Sequence, residues 1–281
     1  MIAPRSLLSS GGEEQTKILV SGKGGTGKTT IAALLAMAFA NNGYNVLALD
    51  TDSVPNLALS LGVPREHAER IIPLSKNEEL AEERTGARPG EGWGVLFSLT
   101  PRVDDLADKY GIKILDNLKL VVVGSIDASK EGCMCPAIAL ARAFLLHVMV
   151  RKNDVVIVDS EAGAEVFGRG LAEKFEFNLT VAEPTVKSLA IASKLIRMAE
   201  ELGVSKNILV INKVRDHLRA LQLSAKVFQN NVPLTHLIRW DENIVKADEE
   251  GMGLNTLPRN SPAKEDIFHL MSKLISFSRR P

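Results

Sequence analysis

Residues 17–30 read KILVSGKGGTGKTT, and this stretch decides how the rest of the chain is interpreted. The apolar run Lys17–Ser21 is typical of a buried strand, and it leads directly into a glycine-rich loop. Gly22–Thr29 matches the pattern G-x-x-x-x-G-K-[ST], and the Ala- and Leu-rich run Thr29–Asn41 predicts the helix that this pattern requires next. A strand, such a loop and a helix together predict a site for nucleotide phosphates.

The loop supplies each part of such a site. Glycines let the backbone wrap an anion without Cβ clashes, while the loop amides and the helix N-terminus attract negative charge. We expect Lys28 to reach the outer phosphates of ATP and Thr29 to bind Mg²⁺. The predicted nucleotide-binding residues of the loop are Gly22, Lys23, Gly24, Gly25, Thr26, Gly27, Lys28, Thr29 and Thr30.

Strand and helix patterns alternate along the rest of the chain. Apolar runs of strand length recur at 45–50, 118–124, 154–159, 177–183, 207–212 and 233–238, and helical patterns lie at 136–150, 185–202 and 214–228. The alternation predicts an α/β fold, a single P-loop NTPase domain with a mostly parallel central sheet and helices on both faces.

The domain boundaries follow from composition. We expect residues 1–16 to form a flexible N-terminal tail and residues 17–281 to form the ATPase domain. Within it, the polar stretch 64–94 predicts a solvated surface insertion, and the residues from Pro262 onward predict a closing helix.

Charge and cysteine content exclude several classes of protein. The 281 residues include 34 basic and 34 acidic residues, a balance that argues against binding nucleic acid or a membrane through a broad basic field. No apolar run is long enough to span a membrane, and the first residues lack the apolar core of a signal peptide. The two cysteines, Cys133 and Cys135, are too close to form a useful disulfide, so the reducing cytoplasm is the expected location.

Polar side chains end three of the predicted strands. Asp50 and Asp52 close the second strand, Asp159 closes DVVIVD, and Asn212 closes NILVIN. In parallel sheets ligands bind outside the carboxyl ends of the strands. A single aspartate after a strand is often only a helix cap, and the asparagine could be a turn residue. Three aspartates that close strands neighbouring the phosphate loop favour a functional site.

Lys23 gives the loop a second lysine, and G-K-G-G-T-G-K-T resembles the deviant Walker A loop of the MinD/ParA and nitrogenase-iron-protein ATPases. In that group the early lysine reaches across a two-fold interface to the partner's nucleotide. The resemblance therefore implies a homodimer, with Lys23 and Lys28 both catalytic.

The same resemblance suggests roles for the residues that close the strands. It implies that Asp52 orients or activates the attacking water, that Asp50 and Asp159 lie near Mg²⁺, and that Asn212 contacts the adenine. The group usually has a proline in the next base-side loop. Here the matching stretch is Ile238, Arg239, Trp240.

The cysteine pair stands in EGCMCP, residues 131–136. Pro136 favours the first turn of a helix, so the cysteines are expected in the loop entering it, where the helix field favours thiolates. Inert burial or redox chemistry are alternatives, but C-x-C after a glycine favours metal binding by Cys133 and Cys135. Zinc and nickel thiolate sites commonly have four ligands, so two chains would share one ion.

Several motifs together resemble the CooC family over the chain from about Lys17 to the C-terminus. They are the phosphate loop, D-T-D at 50–52, EGCMCP, DSEAGAEVFGRG at 159–170 and LTVAEPT at 179–185. The resemblance implies an ATPase that uses ATP and Mg²⁺ and holds Ni²⁺ or Zn²⁺ between two chains. It also implies a partner, carbon monoxide dehydrogenase or a related acetyl-CoA-synthesis enzyme, into which the protein assists nickel insertion.

Two other functions fit parts of the sequence. A MinD/ParA-type positioning ATPase would bind membrane or DNA, and it should show a basic amphipathic helix at the C-terminus or a basic surface stripe. The ending IFHLMSKLISFSRRP is only weakly amphipathic. An ATP-dependent iron–sulfur redox carrier would resemble the nitrogenase iron protein, which uses two well-separated cysteines per chain and not C-x-C.

Overall fold

The computed structural model describes residues 16–88, 98–126, 136–150, 155–161, 163–229 and 231–278. Its strands form one sheet with the order β3-β4-β2-β5-β1-β6-β7-β8. In chain order they are β1 Thr16–Gly22, β2 Val46–Asp50, β3 Ile112–Leu115, β4 Leu118–Val122, β5 Val155–Asp159, β6 Phe177–Ala182, β7 Lys206–Val214 and β8 Leu234–Arg239.

The sheet is parallel except at one edge. Strand β3 pairs antiparallel with β4, and the other neighbouring pairs are parallel. The short strand β3 was not predicted, because four residues followed by a tight turn give little periodicity. The mostly parallel α/β sheet expected from the sequence is confirmed.

Helices and 3-10 turns connect the strands. The helices are α1 Lys28–Asn41, α2 Leu57–Ser60, α3 Arg65–Ala68, α4 Glu78–Thr85, α5 Leu106–Lys109, α6 Pro136–Val150, α7 Arg169–Ala172, α8 Val186–Glu201, α9 His217–Val227, α10 Glu242–Glu249 and α11 Pro262–Ser278. The 3-10 turns are Leu74–Lys76, Ala164–Phe167 and Leu254–Thr256. The predicted closing helix is α11.

Alternating strand residues serve the two faces of the sheet. In β1, Ile18 and Val20 pack with α1 and α11, whereas Leu19 packs with α6 on the opposite face. Helices α8 and α9 cover β6 and β7 on that second face. Strands buried on both sides must be apolar throughout, which explains their continuous apolar runs.

The polar stretch 64–94 departs from the expectation of a solvated insertion. Its described part, 64–88, carries α3, a 3-10 turn and α4, and Leu74, Leu80 and Ala81 are buried. Leu74 and Leu80 join the core cluster that includes α6. Helix α4 exposes its charged face and buries its few apolar residues. Its polar composition therefore gave no indication that it contributes to the core. Residues 89–94 lie outside the described residues.

The proposed tail also differs in its boundary. Strand β1 begins at Thr16, one residue before the expected start of the domain, and Thr16 pairs with Val155. Residues 1–15 lie outside the described residues. Within the described part of the chain, no helix combines the length and apolar character needed to cross a bilayer.

Candidate functional site

The phosphate loop joins β1 to α1 at the carboxyl end of the central strand. Helix α1 starts at Lys28 after the N-cap residue Gly27, no side chain caps it, and its first turn contains no acidic residue. The first N–H groups of a helix lack partners within the helix, and the helix dipole makes this end attractive to anions. The loop therefore presents backbone donors suited to a phosphate group.

Two glycines let the loop pack directly against the sheet. A Cβ on Gly22, where φ is +143°, would lie 2.3 Å from the carbonyl oxygen of Val181 in β6. A Cβ on Gly27, where φ is +93°, would lie 2.4 Å from Nδ2 of Asn212 at the end of β7. At Gly22 a Cβ would clash with backbone, and at Gly27 the left-handed φ and the Asn212 side chain both disfavour one, so both positions favour glycine.

The two loop lysines differ in exposure. Lys28 is buried, and its Nζ lies 3.5 Å from the carbonyl oxygen of Lys23. The Lys23 side chain is exposed and, among the described residues, its ammonium has no partner. One lysine therefore lies within the loop, and the other projects outward.

Asp50 and Asp159 lie side by side at the carboxyl ends of β2 and β5, where they are paired in register. Both are buried. Each oxygen of Asp50 accepts a backbone hydrogen bond, Oδ2 from Leu57 at 2.9 Å and Oδ1 from Asp52 at 3.1 Å. Neither oxygen of Asp159 has a partner at hydrogen-bond distance among the described residues, although the Thr29 hydroxyl and the Lys28 ammonium are near enough to favour its charged form.

Burial changes the acidity of both groups. It raises the pKa of Asp50 to about 6, although the backbone donors of Leu57 and Asp52 oppose the change. Burial and then the neighbouring Asp50 raise the pKa of Asp159 to about 7, while the Thr29 hydroxyl and the Lys28 ammonium act in the opposite direction. A buried carboxylate without a donor is costly in the charged form, so this site is suited to a cation.

Asp52 and Glu161 lie close together, on either side of the Ser53 hydroxyl, and both line the cleft. Oδ1 of Asp52 accepts a hydrogen bond from the Val54 amide at 3.0 Å. The Ser53 hydroxyl donates to Oε2 of Glu161 at 2.9 Å, which joins the segment after β2 to the segment after β5. Sequence reasoning did not select Ser53 or Glu161 as site residues, although both stand within two residues of a predicted site aspartate.

The end of β7 contacts the phosphate loop. Nδ2 of Asn212 donates to the carbonyl oxygen of Thr26 at 2.9 Å. Nζ of Lys213 donates to the carbonyl oxygen of Gly25 at 2.8 Å and to Oε1 of Glu183 at 2.6 Å. Lys213 and Glu183 were also missed, and only the position of Lys213 directly after Asn212 could have indicated it.

A cleft of about 1170 Å³ is bordered by the phosphate loop, by the segments after β2 and β5, and by the ends of β7 and β8. Lys28, Thr29, Asp52 and Glu161 line its phosphate side. On the other side it is lined by Asn212, Lys213, Arg239, Trp240, Asp241, Ile244 and Val245. The cleft has the size and mixed polar and apolar lining of a nucleotide site.

The stretch that replaces the expected base-side proline is held by its own contacts. The Arg239 guanidinium binds Asp266, at 2.8 Å, and Glu265, at 2.7 Å. The Trp240 ring lies 4.3 Å from the Arg215 guanidinium, and its Nε1 donates to Glu242 at 2.7 Å. Arg239 is therefore fixed to α11, and Trp240 is the large apolar side chain at this end of the cleft.

Cys133 and Cys135 fall in residues 127–135, outside the described residues. The chain on either side is placed. The amides of Val123 and Gly124 both donate to the carbonyl oxygen of Asp50, at 2.8 and 3.1 Å, and α6 begins at Pro136. Within the described part of the chain, no cluster of three or more His, Cys, Asp or Glu side chains could hold a metal ion.

Comparison with known proteins finds a nucleotide-binding family and relatives that match most of the chain. Residues 17–254 match the CobQ/CobB/MinD/ParA nucleotide binding domain. The carbon monoxide dehydrogenase accessory protein CooC of Rhodospirillum rubrum is 37% identical over 260 residues, which cover 92% of this chain and 96% of that protein. An uncharacterized ATP-binding protein of Methanocaldococcus jannaschii is 40% identical over 258 residues, 92% of this chain and 98% of that protein.

Solved structures show the same fold. A ParA family ATPase from Chlorobium tepidum has a TM-score of 0.68 at 20% identity, over 92% of this chain and 98% of that one. MinD of Pyrococcus furiosus has a TM-score of 0.66 at 21% identity, over 94% and 100%. MinD of Pyrococcus horikoshii, solved with Mg-ADP, has a TM-score of 0.63 at 23% identity, over 95% and 99%.

Proposed function

This chain belongs to the CobQ/CobB/MinD/ParA nucleotide-binding family as a CooC-like ATPase, and from that premise we propose that it is a nucleotide-switched homodimer binding metal through Cys133 and Cys135. In this proposal it assists nickel insertion into carbon monoxide dehydrogenase or a related acetyl-CoA-synthesis enzyme, in the reducing cytoplasm. One observation carries the coupling between nucleotide and metal: Asp50 is hydrogen-bonded to the chain that leads to the cysteines.

In this proposal each group of cleft residues has its own role in ATP hydrolysis. The loop residues Gly22–Thr30 bind the phosphates and Lys28 neutralises the outer ones. Asp52 orients the attacking water, and Lys23 reaches the nucleotide of the partner subunit. Among the described residues no donor contacts Oδ1 of Asn212, which is therefore able to accept a hydrogen bond from the adenine amino group.

The unpartnered carboxylate of Asp159 fits a Mg²⁺ ion that accompanies ATP. A hard divalent cation takes oxygen ligands, and the buried Asp159 carboxylate and the hydroxyl of Thr29, which lines the cleft, offer them. When bound, Mg²⁺ supplies positive charge that offsets the phosphate charge. Because both oxygens of Asp50 already bind backbone amides, Asp50 adds negative charge near the ion and fixes the turn after β2.

The path from nucleotide to cysteines starts at Asp50. Its backbone carbonyl accepts hydrogen bonds from Val123 and Gly124, three and two residues before Ile126, where the described chain stops. On the far side of the cysteines, the Arg142 guanidinium of α6 donates to the carbonyl oxygens of Ile126 at 3.3 Å and Val166 at 3.2 Å. A change at the end of β2 would therefore act on the chain that enters the cysteine segment, and Arg142 connects that chain to α6, which follows the segment.

A dimer explains the number of cysteines. Each chain has two, and a soft divalent ion in a closed site binds about four thiolates, so one ion would be shared by two chains. Lys23, exposed and without a partner among the described residues, independently supports a partner subunit. ATP would favour a closed dimer, hydrolysis would reopen it, and metal affinity would differ between the two states.

The membrane-binding alternative has less support. Helix α11, the segment that would serve as a C-terminal membrane helix, buries Ile267, Leu270, Met271 and Leu274. These residues pack in the core cluster with α1. The apolar face of α11 is therefore occupied within the fold through Ser278, the last described residue.

Metal analysis on anaerobically purified, reduced protein tests the proposal. Titration with zinc and with nickel should give one ion per two chains, with affinity that falls in acid because protons compete for sulfur. Cys133→Ser or Cys135→Ser should abolish tight binding, whereas Met134→Leu, which keeps both thiolates, should not. One ion per chain, or tight binding by either serine variant, would contradict the shared site. Zinc binding without nickel binding would overturn the nickel role alone.

A further inference from the structure

We propose that Lys213, anchored by Glu183, is a positioning residue that holds the phosphate loop in its anion-binding conformation. The proposal rests on the phosphate-binding role assigned above to Gly22–Thr30. Its basis is a pair of contacts from one ammonium, 2.8 Å to the carbonyl oxygen of Gly25 and 2.6 Å to Oε1 of Glu183.

An anion site made of backbone amides requires the loop carbonyls to face away from the anion. In a trans peptide the C=O and the following N–H point in opposite directions. Lys213 holds the carbonyl of Gly25, and Asn212 holds the carbonyl of Thr26. The N–H on the other side of the peptide that Lys213 holds, that of Thr26, donates to the carbonyl oxygen of Lys23 at 3.4 Å, so the Lys213 contact supports the turn that shapes the loop.

The backbone at Lys213 has an unusual conformation, which lets its side chain leave the strand towards the loop. Lys213 has a φ of 60°, in the left-handed region that side-chain-bearing residues seldom adopt. The pairing of β7 with β8 is irregular between Ile211 and Val214, so the strand departs from its ladder at this point. Strained backbone of this kind persists where surrounding contacts fix it, and it is frequent at functional sites.

Glu183 in turn is held by the start of α8. The backbone amide of Glu183 donates a hydrogen bond to the Ser188 hydroxyl at 3.0 Å. This bond fixes Glu183 relative to the first turn of α8. Ser188 is buried, and its own amide donates to the Thr185 side chain that caps the helix. The contacts therefore run from α8 through Glu183 and Lys213 to the carbonyl of Gly25.

This arrangement predicts an effect on affinity more than on turnover. If the loop adopts its binding conformation only part of the time, the apparent dissociation constant rises in inverse proportion to that fraction. Bound ATP itself selects the correct conformation, so saturated enzyme should turn over nearly as before. Lys213→Met, which keeps the length of the stem, should raise the Kd and KM for Mg-ATP about tenfold and leave kcat within about twofold.

The same two strands provide a matched control. At their opposite ends Lys206, the first residue of β7, binds Glu176, the residue before β6, at 3.0 Å. Lys206→Met removes an ion pair of the same composition at the end of these strands that lies opposite the loop. It should leave the Kd and KM for Mg-ATP unchanged, even where it lowers the Tm as much as Lys213→Met does.

Calorimetric titration with Mg-ATP and steady-state kinetics on the full chain decide the matter. Glu183→Gln should also raise Kd, and Lys213→Arg should restore most of the affinity. If Lys213 instead bound phosphate directly, Glu183→Gln would leave affinity unchanged or increase it. Equal Kd values for Lys213→Met and Lys206→Met would refute the inference alone. Failure of the unmodified protein to bind Mg-ATP would instead refute the phosphate-loop assignment.

Discussion

At the scale of single residues, Asp159 has the environment least favourable to a charge among the described carboxyl groups. Its oxygens are buried without a donor, and Asp50 lies at the same register on the next strand. Burial and the neighbouring carboxyl raise the pKa of Asp159 to about 7, and burial raises the pKa of Asp50 to about 6. The two buried carboxyl groups are therefore unfavourable in their charged forms unless a cation neutralises them.

This pair predicts a dependence of stability on pH. A carboxyl group whose pKa is raised by folding binds its proton more tightly in the folded state, so it stabilises the fold below its ordinary pKa of 3.8 and this stabilisation is lost as pH rises through about 6 to 7. The free energy of unfolding of the nucleotide-free protein should therefore decline as the pH rises from about 4 to about 7. In Asp159→Asn the decline should be smaller, and at about pH 8 its Tm should be higher by roughly 2 °C or more.

Thermal unfolding of both proteins without Mg²⁺ or nucleotide measures this difference. The exposed Glu173→Gln variant serves as the control and should follow the unmodified protein. Asp159→Asn should also lose most Mg²⁺-dependent ATP hydrolysis, because its amide no longer offers a negative charge to the ion. Equal pH profiles for Asp159→Asn and the unmodified protein would show that Asp159 is not the strained group.

At the scale of secondary-structure elements, α4 shows how a polar helix contributes to the core. Asn77 caps it by accepting a hydrogen bond from the Leu80 amide at 3.0 Å, and Gly86 ends it in a left-handed conformation. Most of its eight residues are charged, so it binds the core mainly through Leu80 and Ala81. Its packing against α6 places it beside the helix that follows the cysteine pair.

Leu80→Ala should lower the free energy of unfolding by about 2–3 kcal/mol, because it removes buried methyl groups and leaves a cavity. Urea denaturation followed by circular dichroism gives the value. Glu82→Ala, an exposed position on the same helix, should change the stability by less than about 0.5 kcal/mol. Similar small effects for both variants would support the solvated insertion expected from sequence.

At the scale of the whole molecule, the cleft opens onto a face suited to a second copy of the chain. Lys23 projects from the loop without a partner among the described residues. Val54 and Leu59, which line the cleft, are 67% and 38% exposed. The exposed apolar side chains at the cleft and the exposed lysine of the phosphate loop support the proposed nucleotide-dependent dimer.

Asp52→Ala should keep ATP bound while blocking hydrolysis, because it removes the proposed water-orienting carboxylate and leaves the phosphate loop intact. With Mg-ATP this variant should elute as a dimer in size-exclusion chromatography. Adding Lys23→Ala should weaken the dimer, since the exposed ammonium would no longer reach the partner's phosphates. If the double variant dimerises as strongly as Asp52→Ala alone, Lys23 does not act across the interface.

The sequence by itself determined the elements whose signals are local. The apolar run, the glycine loop and the helix from Lys17 to Asn41 each follow from neighbouring residues, because backbone sterics and side-chain periodicity act over a few positions. The expectation that Asp50, Asp52 and Asp159 would lie near the phosphate loop also came from sequence, since ligands bind outside the carboxyl ends of parallel strands. For the cysteine pair, sequence remains the basis of the proposal.

Only the tertiary structure decided which distant residues touch. The order of strands sets Asp50 beside Asp159, and packing of β7 beside the loop brings Asn212 to Thr26 and Lys213 to Gly25. Leu80 became a core residue for the same reason. These contacts join residues far apart in the chain, and no local pattern encodes them, because their free energy comes from burial and hydrogen bonding that exist only once the sheet and its helices have assembled.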